Sequence, residues 1–600
     1  MDDKKLITRE ETDVKATWCL EDMFATDEVW EEEFSSTKEM IKTLPNYVGK
    51  VSKDKDELLD YLMLTDKIGN SVERLYVYSN QRYHQDMSVS KYQAFAGKAE
   101  TLYIEFGSHT AFFEPEILGM EEAELKLWLE DDKLNNYKRF LSEILRKKEH
   151  TLDSKTEEIL AKSRRMAQAA DNIYTMFNGA DIDFPTVENS KGEKVKITHG
   201  NFVPILTGTD RVLRKRVFKA YYETYDAMKN TLAATFNANV VQAVFYANVR
   251  KYDSTRAMYL NGSNIPEEVY DNLIDTVHQN LDLMYRYVAL RKKLLGVDEL
   301  HMYDVYVPIV EAPDKYIPFE EAKRIVKEGL APMGEEYLKT LQEGFDNRWI
   351  DVYENKGKKS GAYSWGAYGT HPYVLLNYQG TLDHVFTLAH EMGHALHSYY
   401  SNKNQTYINA EYRIFVAEVA SICNEALLIR HMINKTQDNK EKAYLINHFL
   451  EQFKGTLYRQ TMFAEFEKIT HKMVEEGETL TSEELNRIYY DLNKLYFGED
   501  MISDEEIALE WARIPHFYTP FYVYQYATGL AAAIALSAKI IREGEKGVED
   551  YMKFLTGGCT KDPIDLLKMA GVDMGTREPI EDALQLFKEL LDEMESITEQ

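Results

Sequence analysis

The stretch Thr387–Ser398, TLAHEMGHALHS, sets three histidines and one glutamate within eight residues. Read as helix, it brings His390 and His394 onto one face, about 6 Å apart along the axis. Both imidazoles can then turn onto a single zinc ion. Glu391 is rotated by about 100° from His390, so it stands beside such an ion and can take a proton from water there. Gly393, between the histidines, lets something approach the helix closely.

A catalytic zinc site takes three protein ligands, so a third must come from elsewhere. His397 lies on nearly the same face as His390 but about 10 Å further along the axis, with His394 between. Three collinear histidines on a straight helix make poor corners for a tetrahedron, and ALHS lacks the glycine turn that lets a later histidine swing in. His397 is therefore placed in the surroundings of the metal or in the substrate cleft. The segment Glu411–Met432, EYRIFVAEVASICNEALLIRHM, follows the polar SNKNQT and reads as a second helix folded back on the first. Within it Glu418 and Glu425 share a face and interrupt an apolar run, which is costly for a carboxylate unless it is paired or bound to metal. Glu418 is the expected third ligand and Glu425 the expected partner of a metal-bound histidine. Glu411 is the weaker alternative, because it precedes the apolar run.

A chain of 600 residues exceeds what one hydrophobic core fills, so two or three lobes are expected. With 44% hydrophobic residues and 14 prolines it reads as an ordinary soluble globular protein. A net charge of -29 disfavours both a nucleic-acid partner and docking on anionic lipid. The three cysteines, Cys19, Cys423 and Cys559, are far apart and form neither a disulfide framework nor a CxxC site. The start MDDKKLITRE has no apolar core and hence no secretory signal. YATGLAAAIALSAKII, from Tyr526, is too short and polar to span a bilayer and reads as a buried helix. Together these features point to the cytoplasm.

Most segments carry helical periodicity, as in IPEEVYDNLIDTVHQNLDLMYRYVALRKKLL from Ile265, which reads as one or more long amphipathic helices. Residues 1–182 are nearly all of this kind and read as an N-terminal helical lobe, with residues 183–600 as the catalytic domain. The boundary is set at Asp183–Leu206, where β-branched runs flank an Asn-Ser-Lys-Gly turn and suggest a hairpin. A second strand-like island is Ser360–Thr381, SGAYSWGAYGTHPYVLLNYQGT. Its THPYVLLNY run is expected to be an edge strand that receives an extended peptide. His371, within it, is a candidate substrate-binding residue, with an ordinary pre-proline loop position as the alternative.

The stretch HPYVLLNYQGTLDHVFTLAHEMGHALHS, followed by FVAEVASICNEAL, resembles the thimet-oligopeptidase-like zinc metallopeptidases, and most of all their oligoendopeptidase F branch. The resemblance is dense in the catalytic half, looser elsewhere, and reaches the closing TGGCTKDPIDLLKMAGVDM. It implies a mainly α fold: a two-lobed helical zincin with a deep substrate cleft and small β elements next to the active-site helix. It also implies zinc on His390, His394 and Glu418. Position 422 is isoleucine, so the acid that thermolysin-like enzymes carry four residues after the ligand glutamate is absent.

Attack on a peptide carbonyl builds charge on oxygen, and donors aimed there carry a large share of catalysis. IPHFYTPFYVYQYATG, from Ile514, offers His516 followed by Tyr518, Tyr522, Tyr524 and Tyr526. The family lines its cleft with a histidine and following tyrosines in this segment, which carries that role to His516 and to Tyr522, Tyr524 or Tyr526. Helical spacing groups Tyr522 with Tyr526 and turns Tyr524 away. The reading is a metalloendopeptidase with one zinc ion that cleaves internal bonds of short, unstructured peptides. One rival is a zinc carboxypeptidase or dipeptidase on a similar fold, although no clamp for a substrate terminus can be read here. The other is a non-catalytic helical peptide-binding protein, against which the retention of Glu391 speaks.

Overall fold

The computed structural model describes residues 6–312 and 315–598. The opening MDDKK, part of the stretch read for a secretory signal, lies outside them. Helices dominate, and Lys55–Gln85 shows why. Asp54 caps it by accepting from the amides of Asp56 and Glu57, and Leu58, Tyr61, Leu62, Ile68, Val72 and Leu75 are buried along one stripe. Ile265–Leu295 forms two helices, Glu267–His278 and Leu281–Leu295. The break falls where the Asn280 side chain donates to the Thr276 carbonyl, an alternative to continuing the helix. The apolar segment after Tyr524 is the helix Tyr524–Glu543, whose residues Leu530–Leu536 are all buried. No helix among the described residues is long and apolar enough to cross a membrane.

The chain divides into two compact units, each assembled from three segments. The first comprises Met1–Thr151, Asp314–Met432 and Leu536–Val572; the second comprises Leu152–Pro313, Ile433–Ala535 and Asp573–Gln600. This differs from the division at 182/183 expected from the order of elements. The N-terminal helices share their unit with the HExxH segment, because both pack around one small sheet; the hydrophobic cluster built on Trp18, Trp30 and Tyr61 also takes in Tyr373 and Leu375.

Seven short strands are present among the described residues: β1 (Thr186–Glu188), β2 (Lys194–Lys196), β3 (Leu300–His301), β4 (Ile350–Asp351), β5 (Tyr363–Trp365), β6 (Tyr373–Leu375) and β7 (Met501–Ile502). β1 and β2 are the hairpin anticipated around the Asn-Ser-Lys-Gly turn, and β3 pairs with β7. The other three form a sheet in the order β4-β6-β5. THPYVLLNY therefore supplies the central strand, not an edge; its partners on either side come from segments whose pairing no local pattern encodes.

The two edges of this sheet differ. Along β4 the N-terminal segment runs as a cover, with Cys19 N–H donating to Arg348 O at 2.8 Å and Val352 N–H to Ala16 O at 2.9 Å. Arg9 reinforces it through Asp351 at 2.5 Å. On β6, Val374 and Leu376 donate toward β4, so Tyr373 and Leu375 face β5, opposite Trp365 and Tyr363. Ser364, between those two, consequently turns its N–H and C=O to the outer edge.

Candidate metal centre

The motif helix spans Leu382–Asn404, so it continues through the SNKN that the sequence suggested as loop. The second helix begins at Ala417 and runs to Lys435, which leaves Glu411 outside it and exposed. Gly393 is where the two helices meet. A Cβ added there would lie 2.5 Å from Ser421 Cα and 2.8 Å from the Ala420 carbonyl oxygen, so only glycine permits this approach. Asn424 secures the contact: its Nδ2 donates to Ala389 O at 3.1 Å, and its Oδ1 accepts from the Tyr337 hydroxyl at 2.9 Å. The backbones thus dock with Glu418, one turn before Ser421, over the two histidines.

His390, His394 and Glu418 form a group whose ligand atoms converge. The two Nε2 atoms are 3.2 Å apart, and each is 3.3 Å from Glu418 Oε2. Ligands about 2.0–2.1 Å from a tetrahedral zinc stand about 3.3 Å from one another, so this triangle matches three corners of such a site. The surrounding groups hold it in shape. Glu425 hydrogen-bonds His390 Nδ1, which leaves Nε2 facing the other ligands, and Ser421 Oγ donates to Glu418 Oε2 at 3.1 Å.

Electrostatics favour a cation at this point. Burial works against protonating His390, yet its hydrogen bonds to Glu418 and Glu425 raise it to about 10. Burial would raise Glu418, but the two imidazoles hold it far below the usual carboxylate range. Glu391 is only 7% exposed, and its Oε2 has no hydrogen-bond partner among the described residues. Burial raises its carboxyl pKa, partly offset by the neighbouring histidines. Its orphaned oxygen suits a group whose partner is a reacting water.

Gly393→Ala is expected to force the helices apart, with a loss of about 1–3 kcal/mol in stability and a reduced zinc content. Thermal unfolding and metal analysis of the same preparation check both effects.

His397 is not among the three converging ligands, and it does not face a cleft. It is 1% exposed, stacked on Tyr412 with ring centroids 3.7 Å apart, and its burial pushes the imidazole down to about 3. The continued straight helix carries it past the site into the core. His371 lies two residues before β6, stacked on Trp349 at 5.2 Å and 3.2 Å from Asp22.

In the second unit, His516 is exposed, and its ring is 6.3 Å from Tyr522 and 6.0 Å from Tyr526, which are themselves 5.5 Å apart. Burial lowers the His516 pKa. Tyr518 stacks on Tyr174 at 4.3 Å. Tyr524 is 3% exposed with its ring 5.0 Å from Tyr270, so its candidacy for substrate contact falls. Sequence reasoning missed Ser421 and Asn424; Ser421 had a signal, its three-residue spacing from Glu418.

Residues 205–586 match the family model described as Peptidase family M3, and residues 116–184 match one described as Oligopeptidase F. The chain is 48% identical to Oligopeptidase PepF of Bacillus subtilis, covering 99% of this chain and 89% of that one. It is 41% identical to Group B oligopeptidase PepB of Streptococcus agalactiae, covering 98% of each. Among solved structures, oligoendopeptidase-F from Enterococcus faecium has a TM-score of 0.75 at 35% identity, covering 96% of this chain and 99% of that one. A Chlamydophila abortus structure reaches 0.94 at 34% identity, covering 99% and 100%.

Proposed function

The chain belongs to peptidase family M3, a metalloendopeptidase family, and on that premise we propose that it cleaves internal bonds of short, unstructured peptides, using one zinc ion and Glu391 as general base. The observation that carries this reading is the triangle of His390, His394 and Glu418 beside the unpartnered carboxyl oxygen of Glu391. Zinc, when bound, supplies a Lewis acid that acidifies water and polarises a carbonyl. Glu391 then receives the proton of the attacking water and passes it to the leaving amine. Glu425 keeps His390 in the tautomer that presents Nε2. Ser364, with its outward N–H and C=O on β5, offers an extended peptide a backbone to pair with. His516, with Tyr522 or Tyr526, keeps the oxyanion role that the family resemblance carries to it.

A peptide of about ten residues, blocked at both ends, tests the reading. We expect internal cleavage that a chelator abolishes and zinc restores, while a folded protein survives prolonged incubation. A denatured long chain should be cut less readily per site than the short peptide. Cleavage confined to peptides with a free terminus would favour the exopeptidase reading; equal cleavage of the long chain would remove the preference for short substrates.

A further inference from the structure

A turn in the chain separates His516 from Tyr522 and Tyr526, whose rings lie near its own. The turn is at Phe521, which has φ +55°, a left-handed conformation that side-chain-bearing residues rarely adopt. Something must hold it there. The Phe521 amide donates to Glu467 Oε1 at 2.9 Å, and Glu467 lies on the helix Arg459–Glu475 with no solvent exposure at all. One turn further along that helix, His471 sets its ring 4.6 Å from that of Phe521 and bonds the Glu467 carbonyl through Nδ1 at 2.9 Å. Tyr270 sets its ring 5.8 Å from that of Phe521 and donates its hydroxyl to Ala464 O. Phe521 and Tyr524 therefore point into the core, which leaves Tyr522 and Tyr526 turned toward His516.

We propose that Glu467 is a positioning residue: its carboxyl, accepting from the Phe521 amide, locks the left-handed turn that presents Tyr522 and Tyr526 beside His516. The proposal rests on the oxyanion role assigned above to that histidine. Two features fit a clamp rather than a charge. Among the described residues no cation pairs with Glu467, and its Oε2 finds no hydrogen-bond partner. Burial pushes the carboxyl up to about 8, partly offset by the Phe521 amide, which favours the neutral, accepting form. Glutamine reproduces that neutral shape and its acceptor oxygen; methionine matches the length without a comparable acceptor.

The test compares Glu467→Gln, Glu467→Met and His516→Ala on a blocked peptide, with zinc content and thermal unfolding measured for each. Glu467→Gln should keep kcat within about twofold, as a clamp without charge requires. Glu467→Met should lower kcat on the order of 10- to 100-fold at nearly constant KM and full zinc, as misplaced catalytic groups do. His516→Ala should lower kcat by about 10² to 10³. If Glu467→Met is harmless while His516→Ala is damaging, the clamp is wrong and the oxyanion reading stands. A harmless His516→Ala removes the reading and the proposal with it, and a Glu467→Gln as damaged as Glu467→Met overturns the clamp. Should Glu467→Met not fold, hydrogen exchange on the wild-type protein decides. Protection of the Phe521 amide equal to that of the Arg459–Glu475 helix supports the clamp, and exchange as fast as in an exposed loop overturns it.

Discussion

Glu391→Gln is expected to bind zinc as the wild type does and to lose turnover by about 10² to 10⁴ or more, the range associated with general acid–base catalysis. The amide fits the same space, and at 7% exposure the surrounding packing leaves little room for rearrangement. None of the three ligands changes, and neither does the Glu425 contact that orients His390. What is lost is proton affinity at the oxygen that has no partner among the described residues. Metal analysis and kcat on one preparation decide the matter. Full zinc with near-normal activity would remove Glu391 as the base, and the proton path would then need another carrier.

The metal centre was legible because its determinants are local. Four-residue spacing on one helix fixed His390 against His394, and a carboxylate inside an apolar run marked Glu418 as a group that needed a partner. Even Gly393 was readable as a place of close approach, although nothing local says that the approaching backbone is Ala420–Ser421. Strand order was not legible. THPYVLLNY has the composition of any short strand, and its central place depends on Ile350–Asp351 and Tyr363–Trp365 arriving on opposite sides. The same holds for the two units, each of whose segments is separated from the next by a stretch belonging to the other unit. Glu467 is the extreme case. In RQTMFAEFEKITHKMVE it is one of several glutamates, and its partner amide lies 54 residues away. The left-handed turn was equally silent, since Phe521 carries none of the small or amide side chains that announce one.

Glu418→Ala is expected to weaken zinc binding by well over 100-fold, while His397→Ala leaves it close to normal. The scale comes from the surroundings of metal sites, where loss of an orienting partner alone costs about 10- to 100-fold in affinity. Removing a ligand removes both its own bond and the only negative charge in the triangle of His390, His394 and Glu418. Two imidazoles on one helix then remain, a set that does not complete a zinc site. Glu425→Ala should fall between, since it frees His390 to rotate without taking a ligand away. His397→Ala acts on a different quantity. The ring fills space between Tyr412 and Phe554, at centroid distances of 3.7 Å and 4.9 Å, so its loss opens a cavity and lowers stability. Zinc per folded molecule, measured after dialysis against a weak chelator, separates the two effects. If His397→Ala strips the metal and Glu418→Ala retains it, the third ligand has been misassigned and the helix must bend to bring His397 round to the ion.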